Sequence, residues 1–153
     1  MSRFSPMTVV AAQIIVTATL TVETRGQGFT DLTEDARRFL SQARAADGAL
    51  FLFLRHTSAS LTIQENADPD VQKDLIAALH RLAPEDADWV HDVEGPDDMP
   101  AHVKAMLTGV SLQLPVVGGV PALGTWQGIY LIEHRIRPHQ REVMLQFAGC
   151  RAD

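Results

Sequence analysis

Cysteine is nearly absent from this chain: one occurs in 153 residues, Cys150, close to the end. A single thiol excludes an internal disulfide framework. With no His or Asp beside it in sequence, Cys150 reads as an inert thiol rather than a nucleophile, and one cysteine fits a reducing, cytoplasmic compartment. An excess of basic residues is also missing. Lys and Arg number 13 against 19 Asp and Glu, a formal net charge of -6. Nothing in that balance draws the chain to nucleic-acid phosphates or anionic lipid, so neither is expected as a partner. No uninterrupted apolar run reaches about 20 residues, which leaves no candidate membrane helix. Internal repeats, low-complexity tracts and linkers are lacking as well, and the length suits one domain over 1–153 that buries about two thirds of its unfolded surface.

What is there reads as alternating strands and helices. The run VVAAQIIVTATLTV follows Arg3 in the manner of an export signal, but its Val, Ile and Thr content and the alternation at Thr17, Thr19 and Thr21 predict a first strand. After an RGQGF turn, DLTEDARRFLSQARAADG carries Leu32, Ala36, Phe39, Leu40 and Ala43 at helical spacing. Thr30 or Asp31 can cap it and Gly48 follows it. ALFLFL, 49–54, is apolar at every position, as in a strand covered on both faces, and runs into RHTSASLTIQEN. DPDVQKDLIAALHRL predicts a second helix, with Asp68 as cap and Pro69 at its first position. A polar connector leads to a short helix, PAHVKAMLTG, opened by Pro100 and closed by Gly109. VSLQLPVV, 123–134 and REVMLQFAG complete the set as strands. The expectation is an α+β domain: two main helices and one short one on a mixed or antiparallel sheet of five or six strands, with one sheet face needing cover from another subunit.

Among the six histidines, His80 and His139 read as solvated surface groups. His56, His102 and His134 each end or open an element beside an apolar segment, and His102 lies in a helix first turn, where the macrodipole favours neutral imidazole. Neutral imidazole is what a metal requires, and three with a water make an open zinc site. No HxxxH or HExxH pair forces them together, so separate packing stays open. His91 is a further candidate ranked below these three, and Asp92, Asp97 and Asp98 read as loop or cap acids. Ser58, two residues after His56, lacks a GxSxG elbow, so Thr57 and Ser58 read better as hydrogen-bonding supports than as nucleophiles.

The stretch LGTWQGIYLIEHR, 123–135, separates apolar from polar on neither face. Gly128 can admit a close backbone or ligand, Trp126 and Tyr130 supply flat area with polar tips, and Gln127 and Glu133 need partners. Such a strand suits a place between its own core and a neighbouring subunit; an irregular core strand is the alternative.

HTSASLTIQENADPDVQKDL, DDMPAHVKAMLTG and LGTWQGIYLIEHR together resemble, in order and spacing over residues 10–150, the YjbQ family, labelled secondary thiamine-phosphate synthase. The resemblance implies a homotrimer with a pocket near the subunit interface, where His56, His102 and His134 hold zinc or another divalent ion. It implies Ser58, Glu65 and Glu133 as candidate catalytic groups. Asn66, Lys104, Thr125, Trp126, Gln127 and Arg135 become candidates for holding a phosphorylated small molecule, with Arg55 another cation that can face phosphate. The implied activity joins a pyrimidine diphosphate to a thiazole phosphate. No Gly-rich phosphate loop or DDxxD cluster accompanies it, so metal-assisted hydrolysis of a small phosphorylated or acyl substrate, or plain binding of a metal or metabolite, stand beside it.

Overall fold

The computed structural model describes residues 3–153. In chain order the elements are β1 (Ile14–Glu23), β2 (Gly28–Asp31), α1 (Thr33–Gln42), β3 (Ala45–Leu54), β4 (Ala59–Glu65), α2 (Pro69–Leu82), α3 (Asp98–Thr108), β5 (Ser111–Val117), β6 (Val120–Pro121), β7 (Gln127–Glu133) and β8 (Gln140–Arg151). The α+β class and the three helices are as the sequence predicts. The strands form two antiparallel sheets rather than one: β1-β8-β3-β5-β6 and β2-β7-β4. The second sheet depends on β2, which lies within and beyond the stretch read as a turn and pairs Gly28–Asp31 with Glu133–Tyr130.

The core lies between the sheets. Leu50, Leu52 and Leu54 of β3 and Val143, Leu145 and Phe147 of β8 meet Leu61, Ile129 and Leu131 of the small sheet, and Ala36 and Leu40 of α1 close one end. Truncating any one of these leucines to Ala costs about 2–5 kcal/mol. Where β3 crosses β8, Gly48 faces Gly149. A Cβ on either would stand 2.7 Å from the other's Cα, so only this glycine pair lets the Phe147 ring lie over the crossing. On the outer face of the large sheet Phe51 and Phe53 are partly exposed.

α2 follows its sequence signal closely: Asp68 caps it through a 2.9 Å bond to the Asp70 N–H, and Pro69 opens it. α1 is shorter than its periodicity suggests. Its chain leaves the helix after Gln42, passes Arg44 at φ 51°, and is already strand at Ala45. α3 starts two residues before Pro100, at Asp98, and that shift sets up the site.

β7 answers the question posed by its mixed pattern. It is the middle strand of the small sheet, buried from Gly128 to Glu133. Ile129 and Leu131 face the core between the sheets, and Ile132 faces Ile76 and Leu79 of α2. Both covers come from this chain, so the core-strand alternative describes it better than the subunit-facing one. At Gly128 the space a Cβ would take is filled by the Tyr130 ring, 2.8 Å away. Trp126 precedes the strand and is 65% exposed.

Candidate functional site

Three side chains converge where α3 begins. Asp98 and His102 stand at i and i+4, hence on one face of the helix, and His91 reaches them from the connector after α2. One ligand atom from each of His91, Asp98 and His102 lies within 4.8 Å of the others. Asp98 Oδ2 is 2.8 Å from His91 Nε2 and 3.4 Å from His102 Nε2. The Asp98 side chain is buried, whereas both imidazoles reach solvent. The arrangement is open on one side and anchored on the other.

The anchors fix which atoms face the group. His102 Nδ1 lies 3.0 Å from the Thr57 carbonyl. Only a protonated Nδ1 can donate there, so neutral His102 presents its Nε2 lone pair to the group. Thr57 thus supports the site, through its backbone rather than its hydroxyl. Arg135, just past β7, donates to the other Asp98 oxygen, Oδ1, and through Nε to Asp97 Oδ2 at 3.0 Å. Its Nη2 also donates to the Glu94 carbonyl at 2.8 Å, tying the connector down. Hydrogen bonds from Arg135 and the Ile136 N–H, working against burial, hold the Asp97 carboxyl below its usual range.

His102 is the one member of the expected set His56, His102 and His134 in this group. His56 Nε2 accepts the Glu142 N–H at 2.8 Å. His134, 3% exposed, shares a 2.8 Å hydrogen bond with Ser60 through Nε2. Burial, assisted by the nearby Lys104 charge, holds its pKa down to about 4. These are neutral imidazoles, as the sequence suggests, but the Nε2 atoms of His56 and His134 are already engaged.

The remaining candidates divide between scaffold and surface. Glu133 accepts four bonds: from Thr24 Oγ1 and Arg141 Nε at Oε2, and from Arg141 Nη2 and the Arg135 N–H at Oε1. That fills a carboxylate's acceptor sites and leaves none for a substrate proton. Its pKa stays low because these bonds outweigh burial. Ser58 Oγ accepts from Arg141 at 3.0 Å and joins the same buried network. Glu65 accepts the Asp68 N–H ahead of α2, and Asn66 ties the carbonyls of Thr125 and Gln127. Gln127 accepts the Gly124 N–H within the turn that leads into β7. Lys104, buried, approaches His80 Nδ1 at 3.3 Å, and burial lowers its pKa.

His102 also lines a groove of about 640 Å³ between the end of β3 and the second half of α3, with Phe53, Arg55, His56, Met106 and Val110 among its walls. A cavity of that size holds a small organic molecule.

A family model described as UPF0047 protein YjbQ-like matches residues 18–150. The chain belongs to the YjbQ family. A UPF0047 protein of Synechocystis sp. is 46% identical over 131 residues, spanning 85% of this chain and 89% of its own. YjbQ of Escherichia coli O157:H7 is 43% identical, covering 86% and 96% respectively. A solved hypothetical protein from Aeropyrum pernix K1 superposes with a TM-score of 0.81 at 31% identity, over 88% of this chain and 99% of its own. A YjbQ/UPF0047 protein of Clostridium acetobutylicum gives 0.77 at 36% identity, over 86% and 98%. YjbQ membership carries the fold and no stated reaction, so the chemistry rests on the side chains.

Asp98 was missed as a group member because a helix opened at Pro100 leaves it outside. With the start moved to Asp98, the Asp98 and His102 spacing would have marked a shared face.

Proposed function

We propose that this YjbQ protein is an enzyme of small-molecule chemistry that uses one divalent cation, zinc first among the candidates, held by His91, Asp98 and His102. The observation that carries the reading is the three donor atoms within 4.8 Å of one another beside a groove that His102 also lines. Two imidazoles and a carboxylate are a donor set that zinc accepts in open, catalytic sites. An ion bound there supplies Lewis acidity: it polarises a carbonyl or phosphoryl oxygen and acidifies water. The chain's own part is preparation. Thr57 fixes the His102 tautomer, and Arg135 holds Asp98 with Oδ2 toward the imidazoles. The groove orients a substrate against His102. Hydrolysis of a small phosphorylated or acyl substrate is the reaction this equipment suits best.

A transferase reading, thiamine-phosphate synthesis from a pyrimidine diphosphate and a thiazole phosphate, draws support from the groove volume, large enough for two small rings. Against it, two cations expected to meet the diphosphate are already committed: Lys104 at His80, and Arg135 at Asp97 and Asp98. A homotrimer is part of the proposal, supported by Ile15 and Phe51, exposed on the outer face of the large sheet. A cytoplasmic setting accords with the single free cysteine.

The test is turnover by untagged protein, with zinc and after chelation, on a panel of acyl esters, phosphate monoesters and the two thiamine precursors. Zinc-dependent hydrolysis that disappears in Asp98→Asn is the expected result. Metal-independent turnover, or none on any substrate, refutes the hydrolase. Pyrophosphate release from the precursors selects the transferase.

A further inference from the structure

The groove walls carry a chemical preference of their own. Its polar side chains are Arg55, His56, Thr57 and His102, and no Asp or Glu lines it, although the chain carries a net charge of -6. Arg55 has one acidic neighbour, Glu142, at 3.4 Å, with the two side chains 53% and 48% exposed. So exposed a pair contributes little, and the guanidinium can turn to a ligand at small cost. His56 accepts the Glu142 N–H at Nε2, so its neutral ring carries the proton on Nδ1 and can only donate from there. The rest is apolar: Phe53 is 49% exposed and Met106 79%. The anion such a wall fits is a weakly charged one. α3 borders the groove with Ala105 and Met106, near the helix C-terminus and its negative pole. No lining residue opens a helix, so the N–H cluster that phosphate sites commonly use is missing from these walls. One shared guanidinium beside that pole suits a monoanion better than a phosphate dianion.

We propose that the groove binds a carboxylate carried on an apolar body, with Arg55 receiving the carboxylate and Phe53, Met106 and Val110 the body. This names the substrate class of the site read above and rests on that reading for its link to catalysis, while the binding itself stands on the groove walls.

Calorimetric titration of the full untagged chain with 4-phenylbutyrate, its amide and the corresponding phosphonate, each with zinc and with chelator, tests it. The carboxylate binds in both conditions, and the amide and phosphonate bind about tenfold or more weakly. Arg55→Gln lowers carboxylate affinity about tenfold while Arg55→Lys keeps most of it, and Met106→Glu abolishes it. Tighter phosphonate binding, or indifference to Arg55→Gln, overturns the proposal. Zinc-dependent binding indifferent to Arg55 places the carboxylate on the metal, overturning the groove assignment while leaving the metal reading intact. Arg55-dependent binding by a protein that takes up no zinc upholds the groove and removes the metal reading. No binding by any probe, with Met106 protected from peroxide where the chain self-associates, makes a second copy the occupant and overturns the proposal.

Discussion

Arg135 grips one carboxylate oxygen of Asp98 and leaves the other, Oδ2, to His91 and His102. The link joins the end of β7 to the first residue of α3, so the small sheet and the helix are held by the same contact that orients the candidate ligand. Removing such an outer support commonly lowers metal affinity 10–100-fold. Arg135→Gln is therefore expected to weaken zinc binding by about one to two orders of magnitude, read by competition with a chromophoric chelator. Unchanged affinity would deny Arg135 this role.

Arg141 and Glu133 form a buried ion pair, with Nη2 to Oε1 at 2.6 Å and side chains 5% and 1% exposed respectively. Breaking it from one side strands a charge. Glu133→Ala should cost about 3–5 kcal/mol in urea unfolding, with Glu133→Gln costing less because the amide oxygen still accepts. A loss below about 1 kcal/mol for the alanine variant would mean that Arg141 finds water or another partner.

His134 gives stability a pH dependence. Folding lowers its pKa from 6.5 to about 4, so between those values the unfolded chain takes a proton that the folded one refuses. Stability is then full above about pH 6.5 and falls as pH drops toward 4, by about 3 kcal/mol at the limit. Lys104, Arg141 and His80 disfavour its charge and Glu133 favours it. His56 and His80 are shifted in the same direction, so the wild-type slope contains all three. Urea midpoints from pH 4 to 7 should give a flatter slope in His134→Gln; an identical slope would place the effect elsewhere.

Gly128 makes room for the ring of Tyr130 on its own strand. Gly128→Ala should destabilise by about 1–3 kcal/mol through overpacking. In combination with Tyr130→Val the two effects should be less than additive, because the second change removes the obstacle. Full additivity would separate the two positions.

The elements with strong local signals were legible in the sequence. α2 has its cap, its proline and its apolar stripe, and β3 has its run of apolar residues. β2 was not legible: its four residues, GFTD, carry no alternation, and β7 beside them makes them a strand. The division into two sheets was hidden for the same reason. At the site, individual chemistry was readable and distance was not. His102 was identifiable as an imidazole near the start of the short helix, and His56 and His134, chosen on similar grounds, lie elsewhere in the fold. Which imidazoles meet depends on the fold of the connector 83–97, and no periodic pattern specifies that path. Glu133 displays the converse limit, since a carboxylate on a mixed strand looks reactive until Arg141 and Thr24 are placed around it.

The proposed cation site rests on His91, Asp98 and His102 together. Elemental analysis of untagged protein dialysed against zinc, with His91→Ala, Asp98→Asn, His102→Ala and His56→Ala treated in parallel, tests it most directly. About one zinc per chain is expected in the wild type and in His56→Ala, and little in the other three. Absence of zinc from the wild type, or its loss in His56→Ala with retention in His91→Ala, would contradict it.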